Sequence, residues 1–311
     1  MKKTTIVIMA ALALGAAGCK KKKKPAPSPS PSASASPGAG ASPTPTASPS
    51  PSAPATPTAT GPQVVLVDGG AGLVQLGCWD PATKNIVDDP LCLKEAPDVV
   101  ELLTLDGKTV TTDKKEEVVF CEIEGEAPDK NWGFTLPESV PPTDTTAVML
   151  YPKNSSAKII PGAGDTAATP EQVKAGVAAL TVSMTGDKKG DKPPKLSEGE
   201  VLMAPPVDLD GDGKPELLFQ VQAEKPGADP EMPTQVAGVY ADFGDGKLVE
   251  LFTEVGTPSG GVEIEAVLDL GADGRHELVM QGHWNGGLRQ SIISVGADRK
   301  VLSIGSVGCD S

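Results

Sequence analysis

Between residues 25 and 62 proline recurs at nearly every second or third place, as at Pro25, Pro27, Pro29 and Pro31, and the other positions are Ser, Ala, Thr or Gly. Such a segment holds no apolar side chain large enough to enter a core, and each proline removes a backbone donor. It is expected to be a disordered, polyproline-type spacer with a reach on the order of 100 Å at ~3.1 Å per residue. Folding is thereby confined to residues 63–311. That stretch is long enough to bury a real core. With aromatic residues at 3% of the chain, the core must be mainly Val, Leu, Ile and Ala.

Charge is divided in the same way. Seven of the 27 basic residues and none of the 41 acidic ones lie in residues 1–62, so the folded part carries 20 basic against 41 acidic side chains. A body of that sign offers no phosphate-binding face, and nucleic acid is excluded as a partner. Strong acidity suits solubility and the binding of divalent cations.

Lys2 and Lys3 are followed by an apolar run of nine, Ile6 to Leu14, and by Gly15-Ala16-Ala17-Gly18-Cys19. The run is too short for a membrane-spanning helix, which needs about 20 apolar residues, and fits a secretory signal. Its ending resembles the lipobox of bacterial lipoproteins, although Ala16 stands where that family prefers Leu. The resemblance implies a signal peptide over residues 1–18, cleavage before Cys19, and fatty acylation (palmitate) of Cys19. The chain would then be tethered to a membrane of the cell envelope, the outer membrane or cell surface rather than the inner one. Five lysines at 20–24 would sit beside the lipid, each adding about 1 kcal/mol of attraction to anionic headgroups.

With Cys19 assigned to lipid, Cys78, Cys92, Cys121 and Cys309 remain. An even set in an exported protein reads as two disulfides with three possible pairings. The pairing Cys78–Cys92 with Cys121–Cys309 is the one favoured here. The first would close a local loop and the second would staple the chain's last residues to the body.

The folded part reads as mainly β, either propeller-like or another β-repeat arrangement. β-rich stretches at Gln63–Val67, Asp98–Leu105, Lys108–Thr112, Glu117–Ile123 and Thr146–Tyr151 are separated by turn signals such as Asp106-Gly107. Further strands are expected at 216–222, 235–241, 247–252, 263–268, 277–281, 289–295 and 300–305. One short helix is signalled by Thr169-Pro170-Glu171-Gln172, an N-cap, a first-turn proline and a capping-box Gln, leading into Val173–Leu180.

The motif that carries chemistry is Val207-Asp208-Leu209-Asp210-Gly211-Asp212-Gly213-Lys214-Pro215-Glu216-Leu217. Asp208, Asp210, Asp212 and Glu216 occupy loop positions 1, 3, 5 and 9, and the carbonyl of Lys214 stands at position 7. Calcium takes six to eight hard oxygen ligands, and alternating carboxylates on a tight loop converge on one point. An EF-hand would need Glu at position 12, which is Phe219. Instead the loop runs into a strand, and so resembles the calcium loops of FG-GAP and VCBS-type repeats found in β-propellers. That resemblance covers residues 200–311 and implies structural Ca2+ between two strands. A second copy, Asp269-Leu270-Gly271-Ala272-Asp273-Gly274-Arg275-His276-Glu277, follows 61 residues later. It keeps Asp269, Asp273 and Glu277 but has Gly271 in place of an aspartate, which makes it the weaker metal loop. Residues 63–199 would hold degenerate blades or a separate β domain.

No G-x-S-x-G, H-E-x-x-H, P-loop or G-x-G-x-x-G motif occurs. His283-Trp284-Asn285 reads as surface rather than as a binding loop, and Asn154-Ser155-Ser156 as an accidental sequon. The expectation is a non-enzymatic envelope lipoprotein with a calcium-stabilised β domain for binding or structural duty toward an envelope protein or polysaccharide. The alternative is an envelope hydrolase working through Asp and Glu carboxylates.

Overall fold

The computed structural model describes residues 63–87, 89, 92–121, 128–140, 148–153, 158–160, 166–185, 196, 199–225, 234–256, 261–284 and 287–310. The signal segment, Cys19, the lysine run, the spacer and the Asn154 sequon lie outside the described residues. The protein is mainly β, and α1 (Pro170–Thr185) is the single α-helix among the described residues.

The first sheet is formed by β1 (Gln63–Asp68), β2 (Leu73–Asp80), β3 (Asn85–Val87), β4 (Glu101–Thr104), β5 (Thr109–Thr111), β6 (Lys114–Cys121), β7 (Asp129–Thr135) and β8 (Val148–Tyr151). Its order is β5-β4-β8-β1-β2-β7-β6, with β3 also paired to β2. Two short strands follow, β9 (Lys158–Ile160) and β10 (Thr166–Ala167), and then α1.

The rest of the chain is two antiparallel meanders. The first contains β11 (Glu200–Val207), β12 (Glu216–Lys225), β13 (Thr234–Asp242) and β14 (Leu248–Gly256). The second contains β15 (Gly261–Asp269), β16 (Glu277–Trp284), β17 (Gly287–Val295) and β18 (Val301–Asp310). Each places its acidic loop between its first two strands. Residues upstream of 200 are built into both: β10 pairs with β11, and β9 pairs with β15. These additions make two five-stranded sheets, the second and the third.

Period-2 burial on both faces of the strands stacks these elements in layers. Leu180 of α1 packs with Val201, Met203, Phe219, Val221 and Tyr240 on one face of the second sheet. The opposite face of that sheet, with Val207, Leu218, Val239 and Ala241, meets Leu278, Met280 and Ile293 of the third. On the far side of the third sheet, Leu268, Val279 and Ile292 meet Val65, Val74, Leu76 and Val148 of the first. The outer face of the first sheet, with Val64, Leu66 and Met149, is covered by Leu93 and Val100. The helix cap forms as the sequence indicates: the Thr169 N–H donates to Gln172 Oε1 at 2.8 Å, and the Gln172 N–H to Thr169 Oγ1 at 3.3 Å. Gly176 lets α1 lie close to the second sheet, since a Cβ there would come within 2.9 Å of a Val221 methyl.

Strands β2 and β11 were not expected. Gly77 reads as a break in β2, yet it is where the first sheet approaches the third, because a Cβ there would lie 3.2 Å from Ile292 Cδ1. Pro205 and Pro206 argue against β11, and the structure accommodates them at a register shift between Ala204 and Val207.

Cys78 and Cys92 are disulfide-bonded, with Cα atoms 6.5 Å apart. With a sequence separation of 14, closing this loop contributes about 3 kcal/mol on the chain-entropy account. The Lys115 ammonium holds the same segment, donating to the carbonyls of Lys94 at 2.8 Å, Leu93 at 3.4 Å and Ala96. Cys121 at the end of β6 is also disulfide-bonded. The side chain of Cys309, its expected partner, lies outside the described residues, while β18, which carries it, packs against β6. Peptide mapping without reduction is expected to recover Cys78–Cys92 and Cys121–Cys309 links and no free thiol at these positions. A Cys92–Cys121 link would overturn this arrangement.

Candidate metal centre

The loop between β11 and β12 is built by its own carboxylates. Asp208 accepts from two backbone N–H groups, Gly211 on Oδ1 and Gly213 on Oδ2, both at 2.8 Å. The Asp212 N–H donates to Asp210 Oδ1 at 3.1 Å, and the Lys214 N–H to Asp212 Oδ1 at 2.8 Å. Glu216 at the start of β12 reaches back to accept the Leu209 N–H at 2.6 Å, while the Leu209 side chain is fully buried. The path needs left-handed backbone at Gly211 (φ 78°) and Gly213 (φ 82°), where glycine carries no steric cost.

This folding brings together what the sequence predicts for the first loop. Asp208, Asp210, Asp212 and Glu216 each offer a carboxylate oxygen, and these atoms lie within 4.8 Å of one another. Among the described residues they form the one set of three or more His, Cys, Asp or Glu groups meeting that measure. Asp210 and Glu216 are buried, Asp208 is partly so and Asp212 is exposed. An all-oxygen set of this kind suits a hard divalent cation.

Positive side chains border the loop. Lys214 reaches Asp212 Oδ2 at 3.0 Å and holds that carboxyl below the usual carboxylate range. Arg299, from the turn between β17 and β18, places Nε 3.6 Å from Asp210 Oδ2. Burial pushes the Glu216 carboxyl up, the Leu209 N–H pulls it down, and the neighbouring aspartates push it up further. The loop also meets its repeat: the His276 N–H and the His276 Nδ1 both lie 2.9 Å from the Asp208 carbonyl oxygen.

The second loop copies the backbone of the first without its carboxylate cluster. Glu277 accepts the Leu270 N–H at 3.1 Å, as Glu216 does from Leu209. Asp269 accepts from Asp273 at 3.1 Å and Asp273 from Arg275 at 3.1 Å. Left-handed backbone recurs at Ala272 (φ 50°) and Gly274 (φ 87°). Asp269, Asp273 and Glu277 do not form a set of the first loop's tightness. Gly271 occupies the place of Asp210, and a Cβ there would come within 3.0 Å of Trp79 from the first sheet. Arg275 stacks over that same Trp79 ring at 5.5 Å and lies 3.8 Å from Glu277 Oε1. An indole and a guanidinium thus border this loop where the first has a third aspartate.

Sequence reasoning missed Arg299, Trp79 and the role of His276, because each reaches its loop from a distant part of the chain, and it missed the stacking of Arg275 on Trp79 for the same reason. His283 and Trp284 lie on β16 with their rings over Gly261 and Gly287, partly exposed, and Asn285 is outside the described residues. No protein-family model, curated protein or solved structure matches the chain.

Glu277 supplies a pH test of the second loop. Burial raises its carboxyl to about 7, against the pull of the Leu270 N–H and the Arg275 guanidinium. A carboxyl raised in the folded state binds its proton there while the unfolded chain has released it. Stability therefore falls as pH rises from about 4.5 to about 7, by up to about 3 kcal/mol if Glu277 acts alone. Glu277→Gln keeps an acceptor for Leu270 and is expected to flatten this part of the profile in denaturant titrations with chelator present. A profile parallel to wild type would overturn the assignment.

Proposed function

We propose that this protein is an exported lipoprotein, acylated on Cys19, whose β body uses a calcium ion at the Asp208 loop as a structural staple. The body serves as a binding or structural module at the cell envelope. The observation that carries the reading is the convergence of Asp208, Asp210, Asp212 and Glu216, four hard-oxygen donors within 4.8 Å. Each also accepts a backbone N–H that orients it. The anchor rests on the signal-like segment ending at Cys19 and on the spacer that follows it.

Calcium would be held by these four carboxylates, and what it supplies is charge neutralisation at the junction of β11 and β12. Four negative groups gathered in one turn oppose folding, and an ion that binds only the folded loop stabilises it by RT ln(1 + [L]/Kd). With ~1 mM calcium and a Kd of ~0.1 mM the gain is about 1.4 kcal/mol. Thermal melts of the full chain are expected to rise in millimolar calcium relative to chelator. The double replacement Asp208→Asn with Asp212→Asn should remove most of the rise, and Asp269→Asn little of it. Coincident wild-type curves would reduce the loop to a turn.

The anchor has its own test. Cys19→Ser is expected to move the exported protein from the membrane fraction to the soluble one. Retention in the membrane after export would rule out lipid on that residue.

A further inference from the structure

We infer that Arg299 is the resident counter-charge of the Asp208 loop and sets how tightly that loop holds its ion. The inference rests on the metal reading proposed above and concerns the affinity of the same site.

Among the described residues two cations pair with the loop's carboxylates, Lys214 and Arg299, and they differ in how they are held. Lys214 belongs to the loop itself, its side chain is 83% exposed, and its partner Asp212 is on the surface. It can turn into water when an ion arrives. Arg299, with its side chain 41% exposed, is held by more contacts. Its guanidinium lies over the Phe243 ring at 5.0 Å, Nη2 donates to the Phe243 carbonyl at 3.3 Å, and Nη1 lies 3.9 Å from Asp245 Oδ2. The Arg299 N–H also donates to the Gly296 carbonyl at 2.7 Å, within a turn that places this residue at φ 62°.

The group it faces is the most committed aspartate of the loop. The Asp210 side chain is 5% exposed, and its Oδ1 already accepts the Asp212 N–H. Oδ2 is the oxygen left for an ion, and Arg299 Nε stands 3.6 Å from it. An ion at Asp210 therefore shares its ligand with a fixed positive charge and is repelled by it. Without an ion, the same charge offsets the crowding of carboxylates, so the loop keeps its shape when empty. The outcome is weak, reversible binding, in the range of extracellular calcium modules (Kd of about 0.1–1 mM), where the carboxylate count alone would give tighter binding.

Isothermal titration of the full chain with calcium chloride at low ionic strength tests this, comparing wild type with Arg299→Gln, Arg299→Met and Arg299→Lys. Far-UV circular dichroism in chelator reports whether each variant is folded. Arg299→Met keeps a side chain over the Phe243 ring without the charge, and so covers the case in which Arg299→Gln fails to fold. Both uncharged variants are expected to bind calcium about tenfold more tightly, the size of effect expected from one positive charge a few Å from a divalent ion in water. Arg299→Lys, which keeps the charge, should stay close to wild type. Unchanged or weaker binding in the folded uncharged variants would overturn the role of Arg299 and leave the metal reading standing. Absence of calcium binding in all four proteins would overturn the metal reading and this inference with it.

Discussion

The third sheet has protein on both of its faces, and the rest of the body is arranged around that fact. Along β16, Leu278 and Met280 face the second sheet while Val279 faces the first. Such a strand cannot be amphipathic, and burying both of its faces requires a partner sheet on each side. The outer faces of those partners must then be covered in turn. Helix α1 covers one, and the segment fastened by the Cys78–Cys92 disulfide and Lys115 covers the other. The acidic loops lie at the ends of strands, between β11 and β12 and between β15 and β16.

The junctions between sheets also explain where arginine is used. The chain has three arginines, and all three lie over an aromatic ring beside a carboxylate. Arg275 joins Trp79 of the first sheet to Glu277 of the third. Arg289 of the third sheet pairs with Glu254 and Phe252 of the second, and Arg299 joins Asp210, Asp245 and Phe243. A planar, weakly hydrated guanidinium can stack on a ring and meet a carboxylate together, which a lysine ammonium does less well. The lysine pairs, such as Lys108–Asp106 and Lys114–Glu116, are left at the surface, where an ion pair contributes little.

Most of the β order in the C-terminal half was legible in the sequence. There the strands are long, β-rich apolar runs, several of them bounded by Asp-Gly turns, as at Asp245-Gly246 before β14. The capping box of α1 and the first acidic loop were legible for the same reason: their determinants lie within a few neighbouring residues. Strands β2 and β11 were hidden by Gly77 and by Pro205-Pro206, residues chosen for a close approach between sheets and for a register shift. The layering was hidden as well, since β9 and β10 join sheets whose other strands come only after α1. The site was readable as a list of acids and unreadable as an electrostatic balance. Arg299, Trp79 and His276 are brought to the loops by tertiary packing, and no local pattern marks them.

The way the chain enters its body has a mechanical consequence. The first residue of β1, Gln63, follows directly on the proline-rich spacer, and β1 is an interior strand, paired with β2 on one side and β8 on the other. A pull applied at Gln63 along the axis of β1 would act across two antiparallel ladders whose hydrogen bonds run perpendicular to that axis. The ladders would then be loaded in shear, so that their bonds resist together and are not unzipped one at a time. A load on the N-terminal end of the body would thus fall on a strand paired on both sides.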